Sequence, residues 1–389
     1  MAAEAVLLAL EESGVLGAAV ARAAGMALLP IESRRFEGGE FKLRPLQSVR
    51  DRATFVVQSL AASPTAPVCE RLVRLLFLLQ GLHDAGARCV TVLVPYLAFA
   101  RKDRRTQLRD PVSARYVAEL LEAAHAGVVI GLDVHNPAAF DNAFRVPTVH
   151  LTAIPMMAAH FAGQSPSARL AVVSPDVGGI KRAQIFREQL IAHLGREVEL
   201  AFVTKRRAKD VVSSGSLLGD VTGCTAIVLD DLCATGGTLI RAANACRRAG
   251  ADSVYVAVTH APQPSGLDAL AAAEVIRGIL VTDSVGLDVP TAGGAQASGK
   301  LVTLSVAPLL GQVVQRMASG APVAPLLEQW PVRPGECPGG PHRGPRWLID
   351  RRGSGLGAPD AAHRRGTTRR GRATPAVRAR RPHRADARR

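Results

Sequence analysis

Aromatic side chains are scarce in this chain: they make up 4% of 389 residues, with only two Trp and three Tyr. Hydrophobic residues nevertheless reach 48%, so a large core is available, and it has to be built from Ala, Val and Leu. Cysteines are few and scattered. The six of them form no CxxC pair and no zinc spacing, which excludes a disulfide framework and fits free thiols in a reducing compartment. Long apolar runs are missing as well, since none reaches the roughly 18 residues that a membrane helix needs. The N-terminal stretch MAAEAVLLALEESG lacks a basic n-region and carries Glu4 early, so it is expected to form an ordinary amphipathic helix and not a signal peptide. These absences point to a cytoplasmic protein.

Lysine is absent from Pro331 to Arg389, where 16 Arg face four acids, a net charge of +12. The whole chain carries +15, so residues 1–330 hold only +3. The basic character belongs to the tail, and a nucleic-acid-binding reading would rest on that tail alone. Its Arg, Pro, Gly and Ala show no periodic apolar face and cannot offset the entropy of ordering. The tail is therefore expected to be disordered. Its composition also matches GC-rich sequence read in an unintended frame.

Upstream of the tail, short apolar runs alternate with helical patterns. Strands are expected at Thr54–Gln58, Cys89–Val94, Gly127–Asp133, Leu170–Ser174, Thr225–Leu229, Val254–Val258 and Ile279–Val281. Helices are expected at Val68–Leu82, Val112–Ala124, Ile180–Leu194, Thr238–Ala249 and Leu309–Met317. Such alternation implies parallel sheets covered on both faces. The series restarts once, which predicts two tandem doubly wound α/β domains, 1–150 and 151–320, followed by the tail at 321–389.

The string Ile227-Val-Leu-Asp-Asp-Leu-Cys-Ala-Thr-Gly-Gly-Thr238 carries the clearest chemistry. An apolar strand ends in two carboxylates, and a Thr-Gly-Gly-Thr turn then opens a helix. Ligands of open α/β sheets bind at the carboxyl ends of strands. The glycines let backbone N–H groups approach an anion, and the helix N-terminus favours it. Asp230 and Asp231 repel a phosphate and suit either vicinal sugar hydroxyls or a metal-bound sugar. Phosphate donors at one end and paired carboxylates at the other fit a sugar phosphate.

This string resembles the phosphoribosyl-binding motif of type I phosphoribosyltransferases and of ribose-phosphate pyrophosphokinases. The rest of the chain resembles the pyrophosphokinases, in order, from about residue 30 to 317. Arg35-Phe-Glu-Gly-Gly-Glu40 is similar to that family's RFxDGE, and Val94 to Val112 is similar to the segment around its RQDRK. Asp133-Val-His135 is similar to DLH, and Ser174-Pro-Asp-Val-Gly-Gly-Ile-Lys-Arg-Ala183 to SPDxGGxxRA. Lys205-Arg-Arg207 falls where the family's flexible catalytic loop begins. Thr259-His-Ala261 and Val281-Thr-Asp283 also fit. A simple phosphoribosyltransferase has one such domain and lacks the first half.

The resemblance implies two phosphoribosyltransferase-like domains and Mg²⁺-dependent transfer of pyrophosphate from ATP to the 1-hydroxyl of ribose 5-phosphate. It assigns Phe36, Gly38, Gly39, Glu40, Arg101, Lys102 and Asp103 to ATP. Asp230, Asp231, Ala234, Thr235, Gly236, Gly237 and Thr238 go to ribose 5-phosphate, His135 and Asp176 to the metal, and Lys205 and Arg207 to catalysis. In this family part of the nucleotide site comes from a neighbouring subunit, so a homo-oligomer with shared sites is implied. The chain departs from the common bacterial pattern at Gly38, Lys102 and Ala234, where Asp, Gln and Asp are usual. Lys102 puts a charge where a neutral amide is expected, which would favour phosphates over base recognition. Two other readings remain: a regulatory homologue without turnover, and a phosphoribosyltransferase that consumes phosphoribosyl pyrophosphate.

Overall fold

The computed structural model describes residues 5–63, 66–164, 167–204, 206–208, 211–213, 216–286 and 293–328. All of these fall within one compact unit. The first half runs β1 (Val6–Ala9), α1 (Gly14–Ala24), β2 (Ile31–Arg35), β3 (Phe41–Pro45), β4 (Ala53–Val57), α2 (Val68–Asp84), β5 (Cys89–Val94), α3 (Ser113–Ala123), β6 (Val128–Leu132), α4 (Pro137–Ala143), β7 (Thr148–Leu151) and α5 (Ile154–Gln164). Five of these strands form a parallel sheet in the order β1-β4-β5-β6-β7, while β2 and β3 make a separate antiparallel hairpin.

The second half runs β8 (Leu170–Ser174), α6 (Ile180–Leu194), β9 (Glu199–Val203), β10 (Arg206–Ala208), β11 (Val211–Ser213), β12 (Leu217–Leu218), β13 (Thr225–Leu232), α7 (Gly237–Arg248), β14 (Ser253–His260), α8 (Pro264–Ala272), β15 (Gly278–Thr282), α9 (Gly293–Ala297), β16 (Leu301–Leu304), α10 (Ala307–Ser319) and α11 (Ala324–Glu328). Its sheet has the order β12-β9-β8-β13-β14-β15-β16, parallel except for the short β12. Strands β10 and β11 form a small antiparallel pair.

The strands are continuous apolar runs because both of their faces are covered. One core lies between the sheets. Leu7, Phe55, Leu93 and Ile130 of the first meet Val172, Ile227, Ala257 and Leu280 of the second through α1, α5, α6 and α10. Separate cores back the outer faces, with α2 and α3 on the first sheet and α7 and α8 on the second. Helix α1 packs on α10 closely enough that a Cβ at Gly311 would lie 2.5 Å from the Cβ of Ala23, so only glycine fits there.

The N-terminal expectation of a helix is corrected. Val6–Ala9 is a parallel strand beside β4, followed by a tight turn at Glu11–Ser13 and then α1. Leu7 and Leu8 point to opposite faces and both are fully buried, a tertiary demand that overrides local helix preference. Helix α2 is tied both to the turn before α1 and to the hairpin β2–β3 through a buried arginine that the sequence pattern does not reveal. Arg74, with no exposed side-chain surface, places Nε 2.9 Å from Glu12 Oε1 and donates to Ser33 Oγ at 2.9 Å. Arg35 adds Glu70 at 2.7 Å. Helix α11 lies past residue 320, and its Leu326 is buried in the central core. The tail from residue 329 lies outside the described residues.

Candidate active site

The carboxyl ends of β5, β6, β13 and β14 converge on a cleft of about 200 Å³. Tyr96, Arg101, Lys102, His135, Asp231 and His260 line it. Segments more than a hundred residues apart thus share one opening, at the strand ends where parallel sheets bind ligands.

Asp133 joins the two sheets at the back of this cleft. It adopts a left-handed φ of 39° and is buried. Its carboxylate accepts from Thr259 Oγ1 at 2.5 Å, Thr152 Oγ1 at 2.6 Å and Ala153 N at 3.0 Å. His260, also buried, makes the same crossing. Its Nε2 donates to Leu132 O at 3.0 Å, and its Nδ1 lies 2.8 Å from Ser284 Oγ. Burial pushes the His260 imidazole below its ordinary value and keeps it neutral, so Nδ1 accepts from the serine hydroxyl.

Two residues past Asp133, His135 Nδ1 donates to Asp231 Oδ2 at 2.8 Å. That bond raises the His135 pKa against the opposing effect of burial, and it leaves Nε2 available. Arg182, on the first turns of α6, reaches both carboxylates: NH1 lies 3.1 Å from Asp230 Oδ1 and 3.0 Å from Asp231 Oδ1. Burial raises Asp230, and the adjacent Asp231 carboxylate raises it further. Burial acts on Asp231 too, but the hydrogen bond from His135 and the Arg182 charge hold it well below the usual carboxylate range. The two carboxylates are therefore inequivalent: their surroundings favour negative charge on Asp231 over Asp230.

The turn after β13 has the predicted form. Gly236 takes φ 77° as the N-cap of α7 and, having no side chain, supplies no cap to the helix's first N–H groups. A Cβ on Gly266 would overlap the Ala234 carbonyl oxygen, so α8 passes directly against the turn and supports it. Cys233, beside it, is buried, and its thiol is pushed up to about 12. It is not a nucleophile at neutral pH.

The other expected site residues divide into four groups. Arg101 and Lys102 stand in the cleft, while Asp103 accepts from Asn136 Nδ2 at 2.6 Å and ties their loop to the His135 loop. Phe36, Gly38, Gly39 and Glu40 form the tip of the β2–β3 hairpin and are not among the cleft-lining residues. Phe36 is exposed and carries the Arg34 guanidinium 5.1 Å above its ring. Asp176 caps the short turn after β8, accepting from Gly179 N at 3.2 Å. Among the described residues no three His, Cys, Asp or Glu side chains gather as a metal cage. Lys205 lies outside the described residues, and Arg207 sits in β10.

Arg182, Asp133, His260 and Asn136 were not singled out from sequence. Arg182 lies within the quoted 174–183 string, and its position one helical turn past the glycines was the available signal. The cross-sheet partners of Asp133 and His260 have no local signature.

Comparison with known proteins points to one family. Residues 5–125 match the N-terminal domain of ribose phosphate pyrophosphokinase, and residues 152–281 match the phosphoribosyl transferase domain. The ribose-phosphate pyrophosphokinase of Bacillus caldolyticus is 34% identical over 325 residues, covering 83% of this chain and 97% of that protein. That of Maricaulis maris is 36% identical over 295 residues, 76% of this chain and 90% of its own. The crystal structure of phosphoribosylpyrophosphate synthetase from Mycobacterium smegmatis superposes with a TM-score of 0.72 at 30% identity, covering 82% of this chain and all of that one. Two sheets of the expected kind, a phosphate-type turn beside paired carboxylates, and relatives matched over nearly their whole length make this chain an enzyme of the ribose-phosphate pyrophosphokinase family.

Proposed function

We propose that the protein makes phosphoribosyl pyrophosphate and AMP from ribose 5-phosphate and ATP. The observation that carries this reading is the His135–Asp231 bond, which joins the nucleotide-side loops of the first sheet to the sugar-phosphate motif of the second. In this reading the 5-phosphate sits on the N–H groups of the Ala234–Thr238 turn. Asp230 and Asp231 hold two neighbouring ribose hydroxyls, with Asp231 the acceptor that carries the charge. The 1-hydroxyl oxygen attacks the β-phosphorus of ATP. The bond from that phosphorus to the α,β-bridging oxygen breaks, AMP leaves with the electron pair, and the hydroxyl proton is released to solvent.

Arg101 holds phosphate charge, and Lys205 and Arg207 stabilise charge as it shifts toward the leaving group. Phe36, Gly38, Gly39 and Glu40 contact a nucleotide in a neighbouring copy, which fits a hairpin tip that does not line its own cleft. Magnesium fits this donor set only as an ion carried by the nucleotide phosphates, because His135 Nε2 and Asp176 offer single donors and no cage. Bound that way it would neutralise phosphate charge. His135 and Asp176 would then orient the nucleotide complex, with His135 fixed by Asp231. The free thiols among the described residues suit a cytoplasmic enzyme.

The test is formation of AMP and phosphoribosyl pyrophosphate from ATP, ribose 5-phosphate and Mg²⁺ by the full chain. Nucleotide binding without either product would replace this reading with a regulatory homologue. Consumption of phosphoribosyl pyrophosphate with a base would replace it with a phosphoribosyltransferase.

A further inference from the structure

The loop after β5 contains a closed polar ring. Lys102 Nζ donates to Asp110 Oδ2 at 2.5 Å and to Thr106 Oγ1 at 3.1 Å. Thr106 Oγ1 donates in turn to Asp110 Oδ2 at 2.7 Å. The backbone N–H groups of Thr106 and Gln107 each reach the same oxygen at 2.9 Å. These donors, Lys102 first, hold Asp110 well below the usual carboxylate range, so it is charged at any working pH.

Three consequences follow for the cleft. The Lys102 charge is matched by a carboxylate in direct contact. Two of the three ammonium protons are engaged, leaving one to point elsewhere. The surface next to it is aromatic: Phe99 takes a left-handed φ of 65°, keeps 41% of its surface exposed, and accepts from Lys102 N at 3.3 Å. Phe99 and Tyr96 line the cleft beside Lys102. A neutralised single donor next to exposed rings suits an uncharged, planar or sugar-like ligand surface. A phosphate-binding cation would instead stand unpaired, as Arg101 does in its lack of any ion pair among the described residues.

We propose that Asp110 is a positioning residue that neutralises Lys102, so that Lys102 donates one hydrogen bond to an uncharged acceptor of the nucleotide, a ring nitrogen or sugar oxygen, and does not bind its phosphates. This rests on the nucleotide-binding reading of the cleft, and it reverses the expectation that a lysine at 102 favours phosphates.

The experiment is the dependence of the ATP KM on ionic strength in the full chain, for wild type, Lys102→Gln, Asp110→Asn and the double variant. Asp110→Asn keeps an oxygen for the Thr106 and Gln107 amides while removing the charge. Lys102→Gln should raise the ATP KM by about threefold, the scale of one neutral hydrogen bond, with the salt slope of the wild type retained. Asp110→Asn should steepen that slope, because the ammonium then acts as a free charge on a polyanion. The double variant should return to the wild-type slope. The proposal is overturned if Lys102→Gln flattens the slope and raises KM by more than about tenfold, as loss of a charged phosphate contact would. It is equally overturned if Asp110→Asn has the same effect with and without Lys102. The same comparison made on ATP affinity by calorimetry holds whether or not the wild type turns over, which separates this proposal from the reaction assigned above.

Discussion

His135 Nδ1 lies 2.8 Å from Asp231 Oδ2, so one hydrogen bond links the loop after β6 to the end of β13 in the other sheet. Each partner changes the other: the carboxylate favours imidazolium, and the imidazole favours carboxylate. Asp231→Asn should therefore lower the His135 pKa toward its ordinary 6.5, measured by NMR titration of the imidazole. The same variant should weaken ribose 5-phosphate binding by about 1–3 kcal/mol by calorimetry. An unmoved His135 titration would break the link drawn between them.

His260 has the opposite sign. Its folded pKa is depressed by burial, so the folded protein keeps it neutral while the unfolded chain takes up a proton below about 6.5. Its contribution to stability is fully present above that value and falls away as pH drops toward the lower folded pKa. The His135 contribution runs the other way: present below 6.5 and lost as pH rises through its higher folded value. Urea denaturation at pH 5 and pH 8 should show His260→Gln losing part of the acid-side decline seen in the wild type.

Thr259 donates across the sheets to the buried Asp133 carboxylate. Thr259→Val keeps the shape but removes that donor, and should cost about 1.5–3 kcal/mol in denaturant unfolding, the range for a hydrogen bond to a charged group. Thr259→Ser should recover most of it. A Thr259→Val variant as stable as the wild type, with the loss confined to Thr259→Ser, would assign the effect to methyl packing.

Gly266 stands against the Ala234 carbonyl. Gly266→Ala should displace the anion-binding turn and raise the KM for ribose 5-phosphate more than that for ATP. Steady-state kinetics with each substrate varied in turn would expose the difference, and equal changes would count against a local effect.

Truncation after Glu328 should preserve turnover, since the Arg-rich segment beyond it has no apolar face to contribute. Truncation after Gly320 should not be equivalent. It removes Leu326 from the central core and should lower stability by about 1.5–3 kcal/mol, the value of one buried leucine. Thermal unfolding of the two shortened chains distinguishes them.

The doubly buried strands were legible because their apolar runs are short, continuous and bounded. Leu170–Ser174 and Cys89–Val94 fall where the pattern put them. Val6–Ala9 was not legible, because four apolar residues cannot by themselves distinguish a buried strand from a helix turn. The β2–β3 hairpin was hidden by its charge, since its strands carry Glu, Arg and Lys that pair across the register and over α2. Asp230, Asp231 and the glycine turn were readable because their chemistry is contiguous in sequence. Arg182, Asp133 and His260 matter through partners 48, 126 and 128 residues away, a relation that only the fold supplies.

The close seating of α10 on α1 bears on how this chain can be made. Helix α1 emerges from the ribosome early, yet the face it presents to α10 has no cover until residue 319 has been synthesised. That face of α1 is thus born open, and nearly three hundred residues of chain must follow the helix before it is shut. Domains that fold as they emerge usually close their own core. This one does not, so its first half expressed alone should aggregate, and supplying the second half in the same cell should restore it to the soluble fraction.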